Sequence, residues 1–376
     1  MIVFHAMLVD AYRELKSKSL FWVVLGLSAL VILVYASIGF NQNGMFLFFG
    51  LYKPESSFFS SDSPLSELLY RGIFTTFIVS LWLTWIATIL ALVSTSNAFP
   101  DFIASGAVDI VLSKPISRVR LFVYKYLVSL LFVVLQVAIF CVGVFLCMGW
   151  RIGAWDPKIF LAIPIVTLFF SYLYSFNVLV GVYSRSAMAA LLFTMCLWFS
   201  VFGMNFAEGI FVQVRSQFEV DRAQAVQQKD AAETALAKLD PSAEDYDIEK
   251  LNAEQRIMLN EEVIERQDEL LAKTKPWFYG VMAVKFPMPK TGETIDLLNQ
   301  YLVPDGAVGL NDLLSGNFTQ NEDGDFVVPD NEQSQLTDRV EAFYDERSLW
   351  YIIGTSLLFE AVMLTAACAI FVRRDY

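Results

Sequence analysis

Long apolar runs separated by short polar joints dominate this chain. Six runs reach the roughly 20 apolar residues that a helix needs to cross a bilayer: 19–40, 71–96, 121–148, 158–183, 187–206 and 349–372. Asn41-Gln-Asn-Gly44 closes the first run. Met45 to Tyr52 is apolar but too short to span, which places it at the membrane interface, and Pro54 to Glu67 reads as a polar, serine-rich loop. Arg71 stands at the edge of the second run, where a long side chain can reach water. Trp82 and Trp85 fall near its middle and are expected to face other helices. Gly149 to Pro157 is a tight joint carrying Trp150 and Trp155 at interfacial depth, as aromatic belts require. Pro164 predicts a kink in the fourth run, and Ser171, Ser175 and Asn177 give that run a polar stripe.

Two stretches have other periods. Residues 2–17 read as an amphipathic helix, with Phe4, Leu8, Ala11 and Leu15 on one face and Asp10, Arg13, Glu14 and Lys16 elsewhere. Such a helix lies in the interface plane. Residues 207–348 form a long insertion between the fifth and sixth runs. Its segments 208–239 and 246–273, joined by Asp240-Pro-Ser-Ala-Glu-Asp245, predict a helical hairpin, 208–273. The first arm has a seven-residue seam of Phe211, Phe218, Ala225, Ala232 and Leu239. The apolar face of the second is Ile248, Leu251, Ile257, Met258, Ile264 and Leu271. Lys275 to Pro289 is apolar, bounded by prolines and a dozen or so residues long, so it reads as interfacial or re-entrant rather than spanning. Residues 290–345 read as loop-rich.

Composition agrees with a membrane chain: 56% of its 376 residues are hydrophobic. The net charge of −12 is not spread evenly. Residues 207–348 hold 13 Lys+Arg against 29 Asp+Glu, a balance of −16, and the rest of the chain holds 14 against 10, a balance of +4. An acidic, solvated insertion argues against nucleic-acid binding. Cys141, Cys147, Cys196 and Cys368 all lie in apolar runs, so no disulfide framework is expected. The one histidine is His5, which excludes His-cluster metal sites and a Ser-His-Asp triad in the body of the chain. No Gly-x4-Gly-Lys-(Ser/Thr) and no His-Glu-x-x-His occurs, so the chain carries neither a P-loop nor a zincin site. No cleavable signal peptide is legible. Asn321-Glu-Asp-Gly-Asp325 resembles part of a calcium loop. The ligand positions would be Thr319, Asn321, Asp323 and Asp330, and a plain acidic turn is the simpler reading. Asn317-Phe-Thr319 is a glycosylation sequon without weight here.

With six spans both termini share one side. That side collects Arg13, Lys16, Lys18, Lys114, Arg118, Arg120, Lys125, Arg185, Arg373 and Arg374. The short loops opposite hold Lys53, Arg151 and Lys158, with Arg71 at the edge. The positive-inside rule makes the first side cytoplasmic and the insertion extracytoplasmic. Among the intramembrane residues Glu360 is the one acid well inside a run. A carboxylate there costs on the order of 2.5–3.5 kcal/mol, so it must face either a subunit interface or transport path, or a local hydrogen-bonding partner. Gln136 and Asn177, with Ser175, could contact cargo, but helix–helix hydrogen bonding explains them more simply.

The segment from Asp101 to Tyr126 carries the clearest functional signal. Phe102, Ile103, Val108, Ile110 and Val111 have helical spacing. Pro115 stops that helix near Ser113, and Ser117 is placed to cap the next. The ordered elements Ser105-Gly106, Asp109 to Leu112, Ser113-Lys114-Pro115-Ile116-Ser117-Arg118 and Lys125-Tyr126-Leu127 resemble the first cytoplasmic loop of ABC-2 type transporter permeases. The closing Arg373-Arg-Asp-Tyr376 is similar to that family's C-terminus. The resemblance covers 1–206 and 349–376 and leaves out the insertion.

It implies an all-α polytopic fold of six transmembrane helices with an N-terminal elbow helix, to which Phe4, Leu8, Arg13 and Leu15 would belong. The loop 97–120 would dock on a separate ATPase subunit through Asp101, Ser105, Gly106, Asp109, Leu112, Ser113, Lys114, Pro115, Ser117 and Arg118. The chain would be the permease of an exporter, a homodimer or heterodimer in a bacterial cytoplasmic (inner) membrane. It would have no catalytic site or cofactor of its own, with ATP and Mg on the partner. The rival expectation is a non-transporting membrane anchor or sensor whose acidic hairpin binds an extracytoplasmic partner. A secondary transporter would show repeats and more intramembrane charges.

Overall fold

The computed structural model describes residues 19–42, 44–53, 64–104, 117–241, 245–302, 316, 318–320, 326–329 and 331–374. The chain is predominantly helical, and its long apolar helices mark it as membrane-embedded. In order, the elements are α1 (Ser19–Ala36), the paired strands β1 (Gly39–Asn41) and β2 (Gly44–Phe46), and a 3-10 turn Phe48–Gly50. Then come α2 (Pro64–Ile73), a π-helical stretch Phe74–Ala87, α3 (Thr88–Thr95), α4 (Ala98–Ala104) and α5 (Arg118–Arg151). A 3-10 turn Pro157–Leu161 leads into α6 (Ala162–Ser184), followed by α7 (Ala187–Ala237), α8 (Tyr246–Lys285) and α9 (Thr291–Leu302). The short strands β3 (Thr319–Gln320) and β4 (Phe326–Val327), α10 (Glu332–Asp345), a π turn Trp350–Gly354 and α11 (Thr355–Arg373) complete the chain.

Among the described residues five stretches are long and apolar enough to cross a membrane: Leu68–Ala104, Arg118–Arg151, Pro157–Ser184, Ala187–Ala237 and Trp350–Arg373. The first expected span is a shorter apolar helix, α1, and it ends at Ala36 rather than at 40 because Gly39–Asn41 pairs in antiparallel register with Gly44–Phe46. The second begins earlier than expected, with Pro64 at the first helical position, where its missing N–H costs nothing. Through Phe74–Ala87 the helix widens, and the hydroxyls of Thr84 and Thr88 donate five residues back, to the carbonyls of Val79 and Leu83. Pro164 sits in the first turn of α6, just after the 3-10 turn, where no intrahelical N–H is required of it.

The chain divides into two compact units. The first comprises 1–200, 289–328 and 352–376. Its core is aromatic. Tyr35 and Tyr70 stack at 4.2 Å, and each hydroxyl donates to the other's backbone carbonyl. Trp85 stacks on Trp198 at 4.8 Å, as its mid-run position predicts. Phe122 touches Phe99 at 5.1 Å and Phe371 at 5.8 Å, joining α4, α5 and α11. Arg71, partly exposed at the edge of its run, pairs with Asp156 at 2.9 Å. Arg151 donates through Nε to the carbonyl of Ala36 at 2.7 Å, closing the end of α1.

The region expected to be loop-rich contains two helices. α9 buries Ile295 and Leu298 in the core of the first unit, and the backbone N–H of Lys290 donates to Ser356 Oγ at 2.8 Å. So 289–302 packs with the apolar helices of the first unit, and 275–285 continues the second arm. α10 is opened by a capping box, Asn331 with Ser334.

The second unit comprises 201–288 and 329–351. The fifth span and the first hairpin arm are one helix of 51 residues, because neither Gly203 nor Gly209 breaks it. The second arm likewise passes through Pro276 to Lys285. The turn before that proline is held by Thr274 Oγ1 and Arg215 Nη1, both donating to the carbonyl of Leu271. Ala225 and Ala232 are buried in the seam, as the heptad predicts, and on the second arm Ala253 is buried while Ile257, Ile264 and Leu271 are half-buried. Ile248, Leu251 and Met258 point outward, 64%, 56% and 62% exposed. Arg222–Asp268 and Lys229–Glu261, both at 2.7 Å, cross the arms. Hydrogen bonding to Glu261 holds the Lys229 ammonium above its ordinary pKa.

Candidate functional site

The first described part of the resembling loop is α4. Phe99 and Ile103 anchor it inward, Phe102 lies under the Lys125 ammonium at 5.3 Å, and Asp101 stays exposed. Pro100 touches the face of α6 at Gly181, where an added Cβ would lie 3.4 Å from the proline ring. Ser105, Gly106, Asp109, Leu112, Ser113, Lys114 and Pro115 lie outside the described residues, as do Phe4, Leu8, Arg13 and Leu15 of the expected elbow helix. The chain is described again at Ser117, whose Oγ accepts from the Arg120 N–H and caps α5.

Arg118 follows, and its position was not legible in the sequence. Its Nη1 donates to the carbonyls of Val372 at 2.9 Å and Arg374 at 2.7 Å, closing the C-terminal end of α11. Arg374 in turn donates to Val182 at 2.6 Å and Tyr183 at 2.9 Å, closing the end of α6. Helix C-termini leave carbonyls unsatisfied and carry partial negative charge, so guanidinium groups suit both ends. The start of α5 and the ends of α6 and α11 are therefore fastened together by two arginines.

Deeper in the same unit, Glu360 is held on both oxygens. The Tyr126 hydroxyl donates to Oε1 at 2.7 Å, and the Ser171 hydroxyl lies 2.8 Å from both Oε2 and the Leu168 carbonyl. α5, α6 and α11 thus meet a second time, at a carboxyl with local partners. Asn177 Nδ2 donates to Thr194 Oγ1 at 3.2 Å, a bond from α6 to α7, while Ser175 is satisfied within its own helix. Gln136 lines a small cavity with Ser28, Thr88 and Phe140, and its Oε1 accepts no hydrogen bond among the described residues. The structure therefore does not bring Gln136, Asn177 and Glu360 into one site.

A scan against protein-family models, a search of curated proteins and a search of solved structures each return no match. Function has to be argued from the residues alone. Among the described residues no group of three or more His, Cys, Asp or Glu side chains is placed to hold a metal ion. Asn321, Asp323 and Asp330 of the calcium-loop reading lie outside the described residues.

A double-mutant cycle checks the Glu360 network. Tyr126→Phe and Glu360→Leu, measured by thermal unfolding in detergent, are expected to couple by about 0.5–3 kcal/mol. The double variant should lose less than the two single losses together, since removing both partners leaves no polar group stranded. Additive losses would show that the 2.7 Å contact carries no energy.

Proposed function

We propose that this chain is the membrane subunit of an ABC-2 type exporter, moving a substrate across the cytoplasmic membrane with energy from a separate ATPase subunit. In this reading α1 and the five longer stretches make six spans, both termini are cytoplasmic, and the insertion is extracytoplasmic. Two copies, identical or not, pair in the membrane.

One observation carries the reading. The Lys114-Pro115-Ile116-Ser117-Arg118 corner runs directly into Arg118, and Arg118 grips the end of α11. A push delivered to the corner by an ATPase would reach α5 through its capped first turn, α11 through Arg118, and α6 through Arg374. Asp101 and Ser117 are exposed beside that linkage and supply docking contacts. Glu360, tied to Tyr126 and Ser171 on the same three helices, keeps them moving as one block. No covalent chemistry is asked of this chain.

The anchor or sensor reading draws on a different observation, the outward stripe Ile248, Leu251, Met258 and Leu259 on the acidic hairpin. A partner helix could cover it whether or not the spans transport anything.

Topology and partnership together test the proposal. With Cys141, Cys147, Cys196 and Cys368 replaced, Ser117→Cys should react with an impermeant maleimide in inverted vesicles and not in intact cells. An ATP-hydrolysing subunit should co-purify with the chain and lose turnover on Lys114→Ala. Labelling from outside, or turnover indifferent to residue 114, would leave only the anchor reading.

A further inference from the structure

At the opposite end of the first unit from Arg118, the chain makes a turn whose shape and surface do not suit water. β1 and β2 pair Gly39 with Phe46 and Asn41 with Gly44, and the turn beyond is closed by the Leu47–Tyr52 bridge and by the Phe49 N–H donating to the Ser37 carbonyl at 3.1 Å. Within it Phe48 and Phe49 have φ of 50° and 56°, followed by Gly50 at 96°. Only the glycine is at ease there, since a side chain in the left-handed region crowds its own carbonyl. The strain points the rings outward: Phe48 is 58% and Phe49 59% exposed, with Leu51 at 90% and Tyr52 at 61%.

The surface beside this turn is apolar and points outward from a helix long enough to cross a membrane. Along α5, Leu135, Ile139, Val142, Leu146 and Trp150 form one outward row at helical spacing, each about half exposed or more. The row ends at Trp150, and Arg151 follows. Its guanidinium lies over the rings of Trp150 at 4.9 Å, Phe49 at 5.4 Å and Phe46 at 5.5 Å. The aromatic turn is thus a continuation of the outward apolar row, locked to its end by a cation over three rings. Tryptophan, tyrosine and arginine at the end of an apolar helix face mark the headgroup level.

We propose that Met45–Tyr52 is a lipid-inserting wedge. Phe48, Phe49, Leu51 and Tyr52 seat in the headgroup–acyl boundary of the leaflet at this end of the helices. Arg151 fixes the depth by holding Phe46 and Phe49 against Trp150. The occupant is the bilayer rather than a protein, because the wedge sits at the end of a span-length apolar helix, where tryptophan, tyrosine and arginine together match the headgroup level. The inference needs only a membrane-embedded chain and holds whichever function is correct.

The test uses the full chain in phosphatidylcholine vesicles, with the four native cysteines replaced and a fluorescent NBD group on Leu51→Cys. The comparison label sits on Glu254→Cys, exposed on α8. At 51 the emission should be blue-shifted and quenched by nitroxide lipids at a depth of about 5–10 Å, with iodide ineffective. At 254 iodide alone should quench. Phe48→Asn with Phe49→Asn keeps a left-handed turn accessible, as Asn tolerates that region, and should move the label at 51 into water. Iodide quenching at 51 equal to that at 254 would overturn the proposal. So would a depth unchanged in the asparagine variant. Protection from both quenchers that grows with the protein-to-lipid ratio would place a second copy on the turn and overturn it too.

Discussion

Glu208→Ala will loosen the foot of the helical hairpin at a cost of about 3–5 kcal/mol, the range for removing one side of a buried ion pair. Glu208 sits near the start of the second unit, with its side chain 2% exposed, and pairs with Lys285 and Arg347, at 4% and 8%. These three residues come from the beginning of the first arm, the end of the second, and the segment after α10. Arg347 also lies over the rings of Phe343 and Tyr344 at 5.0 and 5.1 Å, so it cannot swing out to water without leaving them. Alanine removes the anion that two buried cations share. Hydrogen exchange should show faster opening in 275–288 and 332–348, with the seam around Ala225 and Ala232 retaining more protection. Glu208→Gln keeps the shape and one acceptor and should fall between wild type and alanine. A Glu208→Ala protein within 1 kcal/mol of wild type, on the scale of an ordinary surface change, would mean that the cluster is not the clasp described.

Arg118→Ala should separate fold from function, on the exporter reading. The variant loses two hydrogen bonds from a charged donor, at 2.9 and 2.7 Å, onto the end of α11. Phe122 still packs between Phe99 and Phe371, and Ser117 still caps α5, so the helices should stay assembled. What is lost is the tie between corner and last helix. Allosteric couplings of this kind are worth about 1–3 kcal/mol, or about 5- to 150-fold. Stimulation of the partner's ATP hydrolysis should fall in that range, with the melting temperature shifted by only a few degrees. Arg118→Lys, with a single point charge in place of the fork, should recover part of it. Full stimulation in a folded Arg118→Ala protein would remove the mechanical argument, and the resemblance of the loop would stand without support from geometry.

Much of the architecture could be read from local pattern. A run of apolar residues declares a membrane helix by itself, since its solvent is decided residue by residue, and five of the expected spans have long apolar helices. The Ser117 cap and the Ala225–Ala232 seam were equally local. The errors have a common origin. Nothing near Asn205 says that the fifth span continues to Ala237, because helix propensity alone does not separate a span from the arm that prolongs it. Pro276 looks like a stop until Arg215, from another helix, secures the turn before it. Glu360 could be read as a transport residue or a packed one with equal right, and the choice rests on Tyr126 and Ser171, separated from it by 234 and 189 positions. Arg118 reads as one more cytoplasmic cation until the chain's far end arrives beside it. The sequence alone determined which segments are apolar enough to enter a membrane and which form the acidic hairpin, because burial in lipid depends on composition. The tertiary structure alone decided which polar groups meet, because a hydrogen bond requires two groups within about 3 Å, and that proximity is a property of the folded chain.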